Sequence, residues 1–99
     1  MESTENSSKK MRKLITIRGL VQGVGFRHFT NKTANFLNIS GFVKNLPNGN
    51  VEIEAQSTKE ILEQFIKELW IGSSYSNVKD ISTSDIPEVI TDSNFRVSY

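Results

Sequence analysis

The sequence predicts an α+β fold in which two helices pack on one face of an antiparallel sheet. Segments with alternating apolar and polar residues, typical of half-buried strands, occur near both ends and in the middle of the chain. Two segments between them carry apolar residues every three or four positions, as amphipathic helices do. The length of 99 residues is that of a single domain.

Five strands are predicted from the alternation. Ile15 and Ile17 share one face of the first strand, and the apolar residues of 51–55 point inward while the glutamates between them point outward. Asn48-Gly49 is a strong hairpin signal because both residues tolerate positive φ. The predicted strands cover residues 14–18, 41–46, 51–55, 77–83 and 95–99.

Two helices are predicted between these strands. The first covers residues 26–37 and ends at Asn38, since asparagine tolerates the left-handed conformation. The second opens at a capping box from Ser57 to Glu60 and ends at Gly72. The first four strands and the two helices follow the order β-α-β-β-α-β of the ferredoxin-like, split βαβ sandwich, and the short fifth strand comes after them. The residues predicted to face the core are Phe26, Phe29, Phe36 and Leu37 in the first helix and Ile61, Leu62, Phe65, Ile66 and Leu69 in the second, with Trp70 also packed.

The start of the chain is predicted to lie outside the domain. After Met1 the first ten residues contain no apolar side chain, so residues 1–12 are expected to be a disordered polar tail and residues 13–99 the domain. Lys9, Lys10, Arg12 and Lys13 form a basic run, which is expected to be a solvated lead-in to the first strand.

The composition excludes several classes of function. No cysteine and only one histidine are present, which argues against disulfides, thiolate chemistry and metal clusters. With 12 basic and 11 acidic residues the formal charge is +1, which argues against a bulk electrostatic grip on nucleic acid. No apolar run approaches the ~20 residues of a membrane helix. A cytoplasmic protein without membrane or nucleic-acid partners is therefore expected.

The most informative segment is the glycine-rich turn between the first strand and the first helix. Gly19, Gly23 and Gly25 allow successive backbone N–H groups to converge, and the helix adds its free N–H groups and positive dipole end. The positive charge of Arg27 in the first helical turn is repelled by the positive end of the helix dipole. A bound anion would compensate this unfavourable interaction. An ordinary tight turn with an exposed arginine fits this pattern equally well.

Two further polar residues are candidates. Asn45 lies near the end of the second strand, where its carboxamide could contact both water and an anion. Taken alone, Asn45 is better explained by the turn that follows it. His28 lacks an obvious carboxylate to orient it, so an exposed, non-catalytic histidine is expected.

At this point the sequence strongly resembles the acylphosphatase family. The first matching block runs from Gly19 to Arg27, GLVQGVGFR, and the second is GFVKN, residues 41–45, followed by NGNVE, residues 48–52. The spacing of the blocks also matches, and the similarity covers essentially residues 13–99. The sequence departs from the family pattern at four positions: Phe42 stands where Trp is common, Gly25 occupies a variable position, Gly72 lacks a following Pro, and Ser98 stands where Arg is frequent. The change at Ser98 is expected to loosen the C-terminal strand near the cradle and to affect rate and stability more than the class of activity.

The resemblance implies hydrolysis of acyl phosphates to a carboxylate and inorganic phosphate. By this resemblance Arg27 binds phosphate and Asn45 positions the attacking water, both as catalytic residues. It also implies a metal-independent, monomeric enzyme without a cofactor, whose only partners are its small-molecule substrate and product. The implied phosphate cradle is formed by the backbone of Gln22, Gly23, Val24, Gly25, Phe26 and Arg27.

Two rival functions are weighed against this one. A non-enzymatic anion-binding module of the same fold would use the same turn, and a turnover assay separates it from an enzyme. An RNA-binding module of this topology needs exposed aromatics on its central strands for base stacking. Residues 51–55 contain no aromatic residue, which disfavours RNA binding.

Overall fold

The computed structural model describes residues 9–99 and confirms the predicted α+β class. Five strands form one sheet in the order β4-β1-β3-β2-β5, with two helices packed on one face. The first eight residues, the greater part of the predicted tail, lie outside the described residues. The elements are β1 Lys10–Leu20, α1 Phe26–Phe36, β2 Ser40–Asn45, β3 Val51–Thr58, α2 Lys59–Ile71, β4 Asn77–Ile86 and β5 Phe95–Val97.

The sheet is mixed rather than purely antiparallel, so that part of the prediction was wrong. The pairs β1/β3, β1/β4 and β2/β3 are antiparallel, whereas β2 and β5 are parallel. The cause is the connection over residues 87–94, which carries the chain from one edge of the sheet to the other and reverses it. Strands β4 and β2 point in opposite directions. Because the connection reverses the chain after β4, β5 points in the same direction as β2 and pairs with it in parallel.

The core lies between the helices and one face of the sheet. The predicted inward faces of β1 and β3 are confirmed, since Ile15, Ile17 and Ile53 are fully buried. Leu62, Phe65 and Leu69 form the buried stripe of α2. The buried stripe of α1 follows the spacing of four residues set by Phe26, Thr30 and Ala34.

Two aromatic residues predicted to pack are instead exposed. Phe36 is 82% exposed, because it lies on the side of α1 opposite the stripe that ends at Ala34. Trp70 is 47% exposed, because it is one position beyond the stripe residue Leu69. In both helices, the face that packs against the sheet is therefore narrower than the positions of the apolar residues predict.

The helix ends follow the predicted chemistry with one shift. The N-cap of α2 is Thr58, whose Oγ1 accepts a hydrogen bond from the N–H of Ile61 at 3.4 Å. Ser57 still belongs to β3, so the predicted capping box starting at Ser57 was wrong by one residue. Asn38 adopts the left-handed φ of 58° after α1, and Gly72 follows α2, both as predicted.

Most of the basic run, Lys10, Arg12 and Lys13, belongs to β1, contrary to the prediction of a solvated lead-in. β1 begins at Lys10, three residues before the predicted domain boundary, and the Arg12 side chain is only 3% exposed. Its guanidinium contacts Glu54 at 2.8 Å, Asp92 at 3.0 Å and Gln56 at 3.1 Å. The alternation of β1 places this side chain on the sheet face opposite the helices, where it is covered by the 87–94 connection.

These side chains, together with Arg96, form what we call the ion cluster. Arg96 donates to the second carboxylate oxygen of Asp92 at 2.9 Å. Partial burial raises the pKa of Asp92, but hydrogen bonds and charges from Arg12 and Arg96 outweigh it, so the pKa lies below its ordinary value. Asp92 is therefore ionised near neutral pH and links two guanidinium groups.

Membrane-spanning helices and clusters of metal ligands are both absent from the part of the chain that the structure describes. None of its helices is long and apolar enough to cross a membrane. Residues 9–99 also hold no group of three or more His, Cys, Asp or Glu side chains placed to bind a metal ion.

Candidate active site

The glycine-rich turn leads directly into α1. Gly23 and Gly25 both adopt left-handed conformations, with φ of 74° and 77°. A Cβ at either position would meet no atom within 4 Å, so backbone conformation rather than space requires glycine there. Gly25 is the N-cap of α1 and supplies no side-chain cap, which leaves the first N–H groups of the helix without an acceptor in the helix.

One pocket lies at this helix start. It has a volume of about 290 Å³, and it brings together Arg27 from α1 and Asn45 from the end of β2. The ionisable side chains among its lining residues are those of Arg27, His28 and Tyr99. None of these side chains is a carboxylate, so the pocket favours an anion. The lining residues are Val21, Gly23, Gly25, Phe26, Arg27, His28, Asn45, Val97 and Tyr99.

Asn45 reaches the pocket because of its register on β2. Side chains alternate between sheet faces, so Asn45 shares the helix-covered face with the fully buried Val43. Its Oδ1 atom is buried and has no hydrogen-bond partner among the described residues. An unpaired buried oxygen costs roughly 1–3 kcal/mol, so a hydrogen-bond donor from outside the folded chain would stabilise this atom.

Gln22 and Val24, whose backbone the family resemblance implies as part of the cradle, are not among the residues that line this pocket. Instead they fasten the turn. The Gln22 amide donates two hydrogen bonds of 2.8 Å, to the carbonyl oxygens of Leu46 and Asn50 in the β2–β3 turn. The carbonyl of Val24 accepts a 2.9 Å hydrogen bond from the Ser73 hydroxyl.

We expect Gln22→Ala to weaken this fastening. Loss of two hydrogen bonds should lower the free energy of unfolding by about 1–2 kcal/mol. It should also lower the affinity for inorganic phosphate, because the turn and the end of β2 lose their direct link. Thermal denaturation and a phosphate titration measure both effects. Gln64→Ala, an exposed position on α2, is the matched control, and equal behaviour of the two variants would contradict the prediction.

The C-terminal residues form a wall of the pocket, next to which the family resemblance placed the C-terminal strand without singling out Tyr99. The Arg27 guanidinium lies 4.9 Å from the centre of the Tyr99 ring and 3.4 Å from the Ser98 carbonyl oxygen. Ser98 N–H donates to the Val43 carbonyl at 2.8 Å, which extends the pairing beyond β5. The only sequence signal was the alternation of Phe95, Val97 and Tyr99, which predicts a strand but not its neighbour.

His28 is exposed, as predicted, although it lines the same pocket. It follows Arg27 at the start of α1, where helix N–H groups and the dipole already create a positive field. No neighbouring carboxylate orients its ring within the pocket lining. The site thus combines a guanidinium, free backbone N–H groups and one carboxamide, a set suited to binding a tetrahedral anion together with water.

Comparison with known proteins decides the family. The model of the acylphosphatase family matches residues 13–97. This chain belongs to the acylphosphatase family. An acylphosphatase of Bifidobacterium longum is 41% identical over 81 residues, which are 82% of this chain and 84% of that protein.

Solved structures agree with this assignment. The crystal structure of acylphosphatase from Bacillus subtilis matches with a TM-score of 0.86 and 35% identity, over 90% of this chain and 99% of that one. T. kodakarensis HypF matches with a TM-score of 0.79 and 32% identity over 92% of this chain, which corresponds to only 12% of HypF. The predicted enzyme class, an acylphosphatase acting on acyl phosphates, is confirmed, and a non-enzymatic anion-binding module is not favoured.

Proposed function

We propose that this acylphosphatase binds the phosphoryl group of its substrate with Arg27 and the glycine-rich turn, and that Asn45 positions the attacking water. The observation that carries this proposal is the single pocket shared by Arg27, Asn45 and the start of α1. The residue roles are those that the family resemblance implies for the same positions. The chemistry of each group supports its role.

Phosphate binding is assigned to Arg27 and to the backbone N–H groups at the start of α1. A guanidinium binds two phosphate oxygens with parallel hydrogen bonds, and backbone N–H groups at a helix start supply further donors. The backbone of residues 22–27 curves around this point through the left-handed Gly23 and Gly25. Because these donors are fixed before the substrate arrives, they also stabilise charge on the phosphoryl oxygens in the transition state.

Water attack is assigned to Asn45, which lines the same pocket as Arg27. The buried, unpaired Oδ1 of Asn45 can accept a hydrogen bond from a water molecule and aim its oxygen at phosphorus. As the water oxygen bonds to phosphorus, the bond from phosphorus to the acyl oxygen breaks, and the carboxylate leaves with the electron pair. A proton of the water passes to one of the substrate's own phosphoryl oxygens, which yields inorganic phosphate. A carboxylate is a good leaving group, so no strong acid is required to protonate it.

We further propose that the enzyme needs neither metal nor cofactor and acts as a cytoplasmic monomer. The phosphoryl charge is met by Arg27 and backbone dipoles, the task that Mg²⁺ performs in other phosphoryl transfer enzymes. Monomeric state and location rest on the sequence alone, which shows no specific signal for a dimer.

The parent protein tests this function directly. Purified enzyme should release inorganic phosphate from benzoyl phosphate or acetyl phosphate, at a rate that excess EDTA leaves unchanged. A phosphate-release assay with and without the chelator measures both results. Binding of phosphate without turnover would support the non-enzymatic module instead. A chelator-induced loss that Mg²⁺ restores would contradict the metal-free mechanism.

A further inference from the structure

The wall of the pocket that the C-terminal residues form depends on the shortest strand in the sheet. Strand β5 has three residues, lies at an edge and follows the irregular 87–94 connection. Short edge strands gain little stability from their own pairing, since only one side is hydrogen-bonded. Yet the residues that follow β5, Ser98 and Tyr99, contact the Arg27 guanidinium. Phe95 at the start of β5 is anchored in the core against Phe65, so the residues after it depend on further contacts to stay in place.

The ion cluster provides that fixation from the other face of the sheet. Asp92, whose side chain is only 9% exposed, accepts one hydrogen bond from Arg12 in β1 and another from Arg96 in β5. Arg96 in turn donates to the Gly41 carbonyl of β2 at 2.9 Å. The connection is also held at Val89, whose N–H and carbonyl both bond the Gln56 side chain.

We propose that Asp92 is a positioning residue for the phosphoryl pocket, acting through Arg96 and β5 to hold Ser98 and Tyr99 against Arg27. The inference rests on the proposed role of Arg27 in binding phosphate. Asp92 itself lies on the face of the sheet away from the pocket, so it touches neither substrate nor reacting atoms. Its effect passes along one short strand, because β5 joins the cluster at Arg96 and continues into the pocket at Val97.

The consequence for the reaction is specific. Loss of the Asp92 carboxylate should release the C-terminal wall and leave Arg27 freer to move, while the glycine-rich turn and Asn45 keep their own supports. Substrate and phosphate binding should therefore suffer more than the chemical step. A residue that only stabilised the fold would not change phosphate affinity at temperatures where the protein remains folded.

The test compares Asp92→Ala and the shape-keeping Asp92→Asn with Asp85→Asn. Asp85 pairs with Lys13 at the opposite edge of the sheet and is 77% exposed, so Asp85→Asn is a matched control. At a temperature where all variants are folded, Asp92→Ala should raise the inhibition constant of inorganic phosphate and the KM for benzoyl phosphate about three- to tenfold, below the ~100-fold of a full 1 Å misplacement. The kcat should change less than KM, Asp92→Asn should show a smaller shift, and the control none.

A second measurement is independent of activity. Amide hydrogen exchange at Ser98, whose N–H bonds Val43, should speed up in Asp92→Ala while exchange in the β1–β3 ladder does not. If Ser98 exchange and the phosphate constant both stay at parent values and only the melting temperature falls, Asp92 is structural and the inference is wrong. If the parent lacks turnover, the proposed function fails, and Ser98 exchange with calorimetric phosphate binding still decides the role of Asp92. Should Asp92→Ala not fold, Asp92→Asn gives the same decision.

Discussion

Arg27→Ala is expected to lower kcat/KM for an acyl phosphate about a thousandfold, the lower end of what arginine contributes to other phosphoryl transfers. Arg27 is the only arginine or lysine among the lining residues of the pocket, and no neighbouring side chain can replace its paired hydrogen bonds. Phosphate inhibition should weaken as well, because the same group binds product and substrate. Steady-state kinetics with benzoyl phosphate and phosphate inhibition measure both losses.

The fold of this variant should remain intact. A cation in the first turn opposes the helix dipole by a few tenths of a kcal/mol, so its removal relieves an unfavourable interaction. Arg18→Ala is the matched control, since Arg18 is 64% exposed and its ion pair with Asp80 is long, at 3.9 Å. Arg27→Lys retains the charge without the planar fork and should recover only part of the activity. Parent-like turnover in a folded Arg27→Ala variant would refute the role of this residue.

Much of the fold could be predicted because local patterns decide it. The alternation in β1 and β3 defines their buried faces, and Asn38 and Gly72 mark where helices stop. The direction of β5 could not be predicted, because it depends on where the 87–94 connection crosses the sheet. For the same reason Arg12 could not be recognised as buried, since the residue that covers it, Asp92, lies 80 positions away.

In the candidate site, too, some residues could be predicted from local sequence patterns and others could not. Arg27 stands out from the sequence because a cation at a helix start needs an explanation, and Gly23 and Gly25 next to it supply one. Asn45 could not be chosen from its own surroundings, which favour a turn residue, and only the family resemblance singled it out. Tyr99 was missed because its approach to Arg27 is set by parallel pairing of β2 and β5, which leaves no mark in the local pattern.

The unpaired oxygen of Asn45 leads to the most diagnostic result, in which activity and stability change in opposite directions. Asn45→Ala should lower kcat roughly hundredfold, the effect of removing one well-placed polar group from an active site, because the attacking water is no longer aligned. The inhibition constant of inorganic phosphate should stay within about threefold of the parent, since Arg27 and the backbone donors are untouched. Steady-state kinetics and phosphate inhibition on one preparation separate these terms.

The stability of the Asn45→Ala variant should not fall with its activity. Asn45 Oδ1 is buried without a partner within residues 9–99, so its removal should leave the free energy of unfolding unchanged or raise it by about 1 kcal/mol. Asn35→Ala, an exposed position on α1 whose amide bonds only within the helix, is the matched control and should keep full activity. A structural asparagine would behave in the reverse way, with a lower melting temperature and parent-like kcat. That outcome would remove Asn45 from the mechanism and leave water positioning to another group.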